Sequence, residues 1–124
     1  MSKNMYNLNI ISNKKLPFLQ FIKDGKKKAE GRIATDFIKS FKIGDLLKLI
    51  DVASNECVVC EIIYLNFYKS FKHMLDFEGF QSMVPFSNTF DEALKIYQGF
   101  PGADKVKIHG CCAIGITQWQ RRQC

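Results

Sequence analysis

The sequence has no apolar run near the roughly 20 residues that a membrane-crossing helix requires. Its start, MSKNMYNLNIISNKK, places no unbroken hydrophobic stretch after a basic one, so neither a secretory leader nor a membrane span is expected. Histidine is scarce. His73 and His109 are the only two, and neither has a partner at ligand spacing, so both read as ordinary surface or internally satisfied side chains. The cysteine count is odd, five, and Cys57, Cys60, Cys111 and Cys112 sit in apolar, strand-like sequence. They read as reduced, buried thiols, which points to an intracellular location, cytoplasmic or nuclear. Cys57 and Cys60 form a CxxC, but on a strand positions i and i+3 point to opposite faces and cannot easily share an ion. No metal and no cofactor are expected.

What is present suits one compact unit. A chain of 124 residues, 47% hydrophobic and 24% charged, is apolar enough to bury a core and too short for two independent ones. It reads as a single domain over residues 1–124, with a core from about 6 to 119. The net charge of +6 is uneven: residues 1–50 hold eleven Lys and Arg against four acids, while residues 51–124 hold seven against eight. A basic half of this kind suits an anionic partner, nucleic acid first, although a solvated basic face produces the same composition.

Tyr6, Leu8 and Ile10 alternate with asparagines and predict a half-buried strand. Pro17 followed by Phe18, Leu19, Phe21 and Ile22 predicts a short helix that ends at Asp24-Gly25. Beyond it, Lys28–Ile33 reads as a strand, and Thr35-Asp36 as the cap of a helical turn that stops before Gly44. Leu46–Val52 and Cys57–Phe67 read as a hairpin about residues 53–56, the second strand being central. A short helix is expected over Phe71–Phe77, then loop to residue 88. Thr89 with Glu92 makes a capping box for a helix that closes at Gly99, and a last strand is expected over Val106–Thr117. The sum is an α+β fold, a small mixed β-barrel of five or six strands with two or three flanking short helices.

Pro17-Phe18, Ile22, the run Gly25-Lys26-Lys27-Lys28-Ala29-Glu30-Gly31-Arg32 and the step Phe41-Lys42-Ile43-Gly44-Asp45 together resemble the ASCH (activating signal cointegrator homology) domain. Pro101-Gly102 followed by a strand over Gly110–Ile116 fits the same pattern, and the likeness extends from about Tyr6 to Trp119. The resemblance implies a PUA-like barrel with a cleft where RNA or a nucleoside-like ligand lies.

The chemistry of this segment can be read directly. If residues 28–32 are extended, Lys28, Glu30 and Arg32 share one face, with Lys27 at its entrance. A carboxylate between cations stays ionised and holds the guanidinium fork, leaving one lysine free for a phosphate or carbonyl. A surface ladder of ion pairs is the plain alternative. Tyr64, Phe67, Tyr68 and Phe71 suit either core packing or a ring exposed for base stacking, and Trp119 with Arg121 and Arg122 suits either a backbone contact or a loose tail.

The leading expectation is therefore a module that binds RNA, another nucleic acid or a nucleotide through a basic cleft about Gly25–Arg32. Its ligand-binding candidates are Lys26, Lys27, Lys28, Glu30, Arg32 and Tyr68. The rival expectation is a small hydrolase. Some proteins of the ASCH family are N4-acetylcytidine amidohydrolases with a Lys, a Thr and a Glu in the site, and others are ribonucleases. In that reading Lys27 matches the lysine, Glu30 stands where the threonine would be, and Glu78, ahead of Glu92, supplies the carboxylate. A purely protein-binding domain is the third possibility.

Overall fold

The computed structural model describes residues 3–119 and Cys124. Five strands form one mixed sheet: β1 (Met5–Ile10), β2 (Ala29–Ile33), β3 (Leu46–Asp51), β4 (Cys57–Tyr68) and β5 (Cys111–Gln118), in the spatial order β1-β3-β4-β5-β2. β1 pairs parallel to β3, and the other three pairings are antiparallel. This is a five-stranded α+β half-barrel, in agreement with the small mixed barrel of five or six strands that the strand pattern predicted, and β4 is central as expected.

Alternation along the strands divides the core. Cys112, Ile114 and Ile116 of β5 pack with Leu8, Leu47, Leu49, Val58 and Ile62 on the inner face. Cys111 and Ala113, one residue out of phase, meet a second cluster with Phe71, Met74, Leu75, Ala93 and Tyr97 from the helices on the other face. Because both faces are covered, residues 111–116 are all buried, which is why that stretch is a nearly continuous apolar run.

Six short helices surround the sheet among the described residues, rather than two or three: α1 (Phe18–Lys23), α2 (Asp36–Lys39), α3 (Phe71–Glu78), α4 (Phe80–Met83), α5 (Phe90–Gln98) and α6 (Val106–His109). The caps follow the sequence. Thr35 Oγ1 accepts from Ile38 N–H at 3.4 Å, and Thr89 Oγ1 accepts from Glu92 N–H at 3.2 Å. The reciprocal arm of the capping box is displaced by one residue, since Glu92 Oε2 accepts from Asn88 N–H at 3.1 Å.

Two expectations are corrected. Residues 79–88 are not all loop, because α4 forms as soon as Gly79 turns the chain at φ +85°. Val106–His109 is helical rather than the start of the last strand. The 3-10 turn over Ala103–Lys105 runs directly into it, and Gly110 at φ +72° ends it before β5. Local β-branched character loses there to the turn that precedes it.

A third correction concerns cysteine. Cys57 is half-buried at the start of β4 rather than fully buried, and its Cα lies 6.0 Å from that of Cys124. Cys60, Cys111 and Cys112 are the buried free thiols that were expected, each pushed up to about 12 by burial. No helix among the described residues is long and apolar enough to cross a membrane.

Candidate functional site

The turn after α1 sorts the three lysines. Gly25, at φ +72°, bends the chain so that the backbone N–H groups of Lys26 and Lys27 both donate to Phe21 O. Lys26 then points outward, its Nζ 5.7 Å from the Phe21 ring, and Lys28 turns back to donate to Gly25 O at 2.7 Å. Lys27 goes inward. It is 2% exposed, with Nζ 2.7 Å from Ala29 O, 2.5 Å from Met83 O and 3.4 Å from Glu30 Oε1. Three acceptors around one nitrogen match the three donors of an ammonium.

Glu30 completes the group. Its Oε2 accepts from Arg32 Nε at 2.9 Å and lies 2.8 Å from Nη2 in an ion pair, and the same Nη2 donates to Asn9 O at 2.7 Å. Burial pushes the Lys27 ammonium below its usual range. Burial alone would raise Glu30, but Arg32 and Lys27 outweigh it and hold the carboxyl below the usual carboxylate range. The cation that joins Glu30 and Arg32 is thus Lys27 and not Lys28, because residue 27 sits under the carbonyl that ends α4, while residue 28 precedes the strand on the wet side.

Arg32 also spans the open side of the half-barrel. β2 and β1 are the two edge strands, so the bond from Arg32 to Asn9 O closes the seam between them. A cavity of about 200 Å³ opens along this seam. Glu30, Arg32 and Asn9 form its polar wall, and Phe18, Tyr97 and Phe100 are among its rings. Gly31 is the reason Tyr97 reaches the strand: a Cβ there would lie 2.7 Å from the Tyr97 ring.

The remaining candidates lie elsewhere. Glu78 Oε1 accepts from Tyr64 Oη at 2.9 Å, while Oε2 accepts from Asn66 Nδ2 at 2.9 Å and from Tyr68 Oη. These three donors alternate along β4, and no hydrogen bond or ion pair among the described residues links the group to Lys27 or Glu30. Tyr68 lines a separate shallow groove with Phe67, Lys69, Lys107 and His109. Glu92 is exposed and serves as the cap of α5. Trp119 is half-buried, with Lys3 Nζ 5.3 Å from its ring, and Arg121 and Arg122 lie outside the described residues. No group of three or more His, Cys, Asp and Glu side chains is placed to hold a metal among the described residues.

Sequence reasoning missed Asn9, Tyr97 and Phe100. Their signal was faint: Tyr97 and Phe100 stand three apart at the end of a helix, which reads as core, and Asn9 was one of two alternating asparagines.

The fold and site define an α+β half-barrel with a cavity at its seam, and known proteins add the following. No protein-family model and no curated protein matches the chain. It is similar to the solved structure of the hypothetical protein PH0355, with a TM-score of 0.79 at 26% identity over 94% of this chain and 100% of that one. It is also similar to protein PF0455 from Pyrococcus furiosus, with a TM-score of 0.72 at 26% identity over 94% of this chain and 99% of that one.

Proposed function

We propose that this chain is an ASCH-type module that binds single-stranded RNA or a nucleotide, with one base lodged in the seam cavity and the flanking phosphates met by the exposed Lys26 and Lys28. The observation that carries this reading is the cavity itself, in which aromatic rings stand opposite a fixed carboxylate and guanidinium. Rings offer stacking to any base, and the polar wall offers hydrogen bonds to its edge. At about 200 Å³ the cavity falls below the ~300–1,000 Å³ of sites for drug-sized ligands, so one planar ring system suits it better than a larger molecule.

Binding is favoured over hydrolysis for a geometric reason. A catalytic base must reach the proton it takes. Lys27 Nζ is spent on Ala29 O, Met83 O and Glu30, outside the cavity wall, and Glu78 is held by Tyr64, Asn66 and Tyr68. Lys27 therefore supports the wall from behind, while Glu30, Arg32 and the rings face the ligand.

A salt series tests the reading. Single-stranded RNA of mixed sequence is expected to bind at low salt, with affinity falling as log salt rises with a slope of about −0.7 per phosphate contacted. Absence of binding even at low salt would end the proposal.

A further inference from the structure

The free edge of β2 holds unused hydrogen-bonding groups. β2 and β5 run antiparallel, with Glu30 opposite Ile114 and Arg32 opposite Cys112. Ile116 N–H donates to Lys28 O and Ala34 N–H donates to Gly110 O, each at 3.0 Å, which fixes the even-numbered residues of β2 as those bonded to β5. The odd-numbered residues therefore direct their N–H and C=O groups away from the sheet. Ala29 O is taken by Lys27 Nζ, Ile33 O by Thr35 N–H, and Gly31 N–H faces the Tyr97 hydroxyl. Ala29 N–H, Gly31 C=O and Ile33 N–H remain, with no hydrogen-bond partner among the described residues, and of these residues Gly31 and Ile33 line the cavity. Adjacent outward C=O and N–H groups two residues apart form one acceptor and one donor on the same side. Glu30, also in the cavity wall, adds a second acceptor.

We propose that this edge reads a guanine-type base: Ile33 N–H meets the ring carbonyl, and Gly31 C=O and the Glu30 carboxylate meet the ring N–H and the exocyclic amine beside it. The inference rests on the nucleotide-binding reading above and names the ligand class of the same site. A donor followed by two acceptors is the complement of the Watson–Crick edge of guanine alone among the four bases. Uracil has a donor between two acceptors, cytosine has two acceptors and one donor, and adenine has one of each. Glu30 enforces the choice, because an ionised carboxylate accepts only and repels a ligand carbonyl placed against it. An added peptide strand is a poorer occupant. It would need a ladder of free groups, and the part of this edge that lines the cavity has a single free pair.

The test uses the wild-type chain with ligand analogues, so no variant has to fold. Calorimetric titrations with GMP, AMP, CMP, UMP and IMP are compared, and the backbone amides are followed by NMR. GMP is expected to bind about tenfold or more tighter than AMP, CMP and UMP. IMP, which lacks the exocyclic amine, is expected to lose roughly tenfold relative to GMP. The Ile33 amide is expected to shift downfield on adding GMP. Equal affinities for the nucleotides, or GMP binding without movement of the Ile33 amide, would overturn this inference and leave the binding module standing. Failure of every nucleotide and of mixed RNA to bind would overturn both.

Discussion

Two carboxylates in this protein are held in opposite ways. Glu30 is 8% exposed and sits between two cations, whereas Glu78 is half-buried and sits among neutral donors from Tyr64, Asn66 and Tyr68. Removing a partner from Glu30 leaves an uncompensated buried charge. Removing one from Glu78 leaves an acceptor that water can reach. The first arrangement is stiff and stands in a cavity wall, while the second closes α3 onto β4. Position in a fold is thus marked less by the acid itself than by what neutralises it.

The largest effect should come from breaking the buried group. Lys27→Met is expected to destabilise the chain by about 3–5 kcal/mol, read as a lower midpoint in urea unfolding, because Glu30 is left without its buried partner. The double variant Lys27→Met with Glu30→Leu should recover a large part of that loss. If the single variant were as stable as wild type, the contrast with Glu78 would fail.

Arg32→Ala comes next. It removes the fork from Glu30 and the bridge to Asn9 O, and nucleotide affinity is expected to fall about tenfold, with stability lowered less than in Lys27→Met. Acid should act on the same group. The folded Glu30 pKa lies below its unfolded value, so its contribution is complete above the unfolded carboxylate range and is lost as pH falls through the folded value. Urea midpoints measured downward from neutral pH should fall more for wild type than for the Lys27→Met, Glu30→Leu double variant.

Glu78→Gln is the matching change at the other carboxylate. It is expected to cost about 1 kcal/mol in unfolding experiments and to leave nucleotide affinity unchanged. The smallest effects are expected for Lys26→Ala and Lys28→Ala, each lowering the magnitude of the salt slope for single-stranded RNA by about 0.7 with stability unaffected.

The strands and caps were legible because their signals are local. Alternation at Tyr6, Leu8 and Ile10, the apolar run from Cys57, and the Thr89 cap each depend on neighbours in sequence. Proximity of Lys27, Glu30 and Arg32 was readable for the same reason, since the three lie within six residues. Their roles were not readable. Which lysine turns inward depends on Met83 O, 56 residues away, and on the bend at Gly25. The rings of the cavity come from α1, α3, α5 and the turn after α5, and Asn9 enters only because the half-barrel brings its two edges together. Glu78 looked eligible as a partner for Lys27 until the run of β4 placed three donors around it. The helix at Val106 was hidden by side chains that favour strands in isolation.

The central claim is that a base enters the seam between β1 and β2. Backbone NMR of the chain titrated with a short single-stranded RNA tests it most directly. The amides of Asn9, Gly31 and Ile33 are expected to shift together and to saturate at one equivalent. Shifts confined to the groove about Phe67, Lys69 and Lys107, with the seam unmoved, would contradict it.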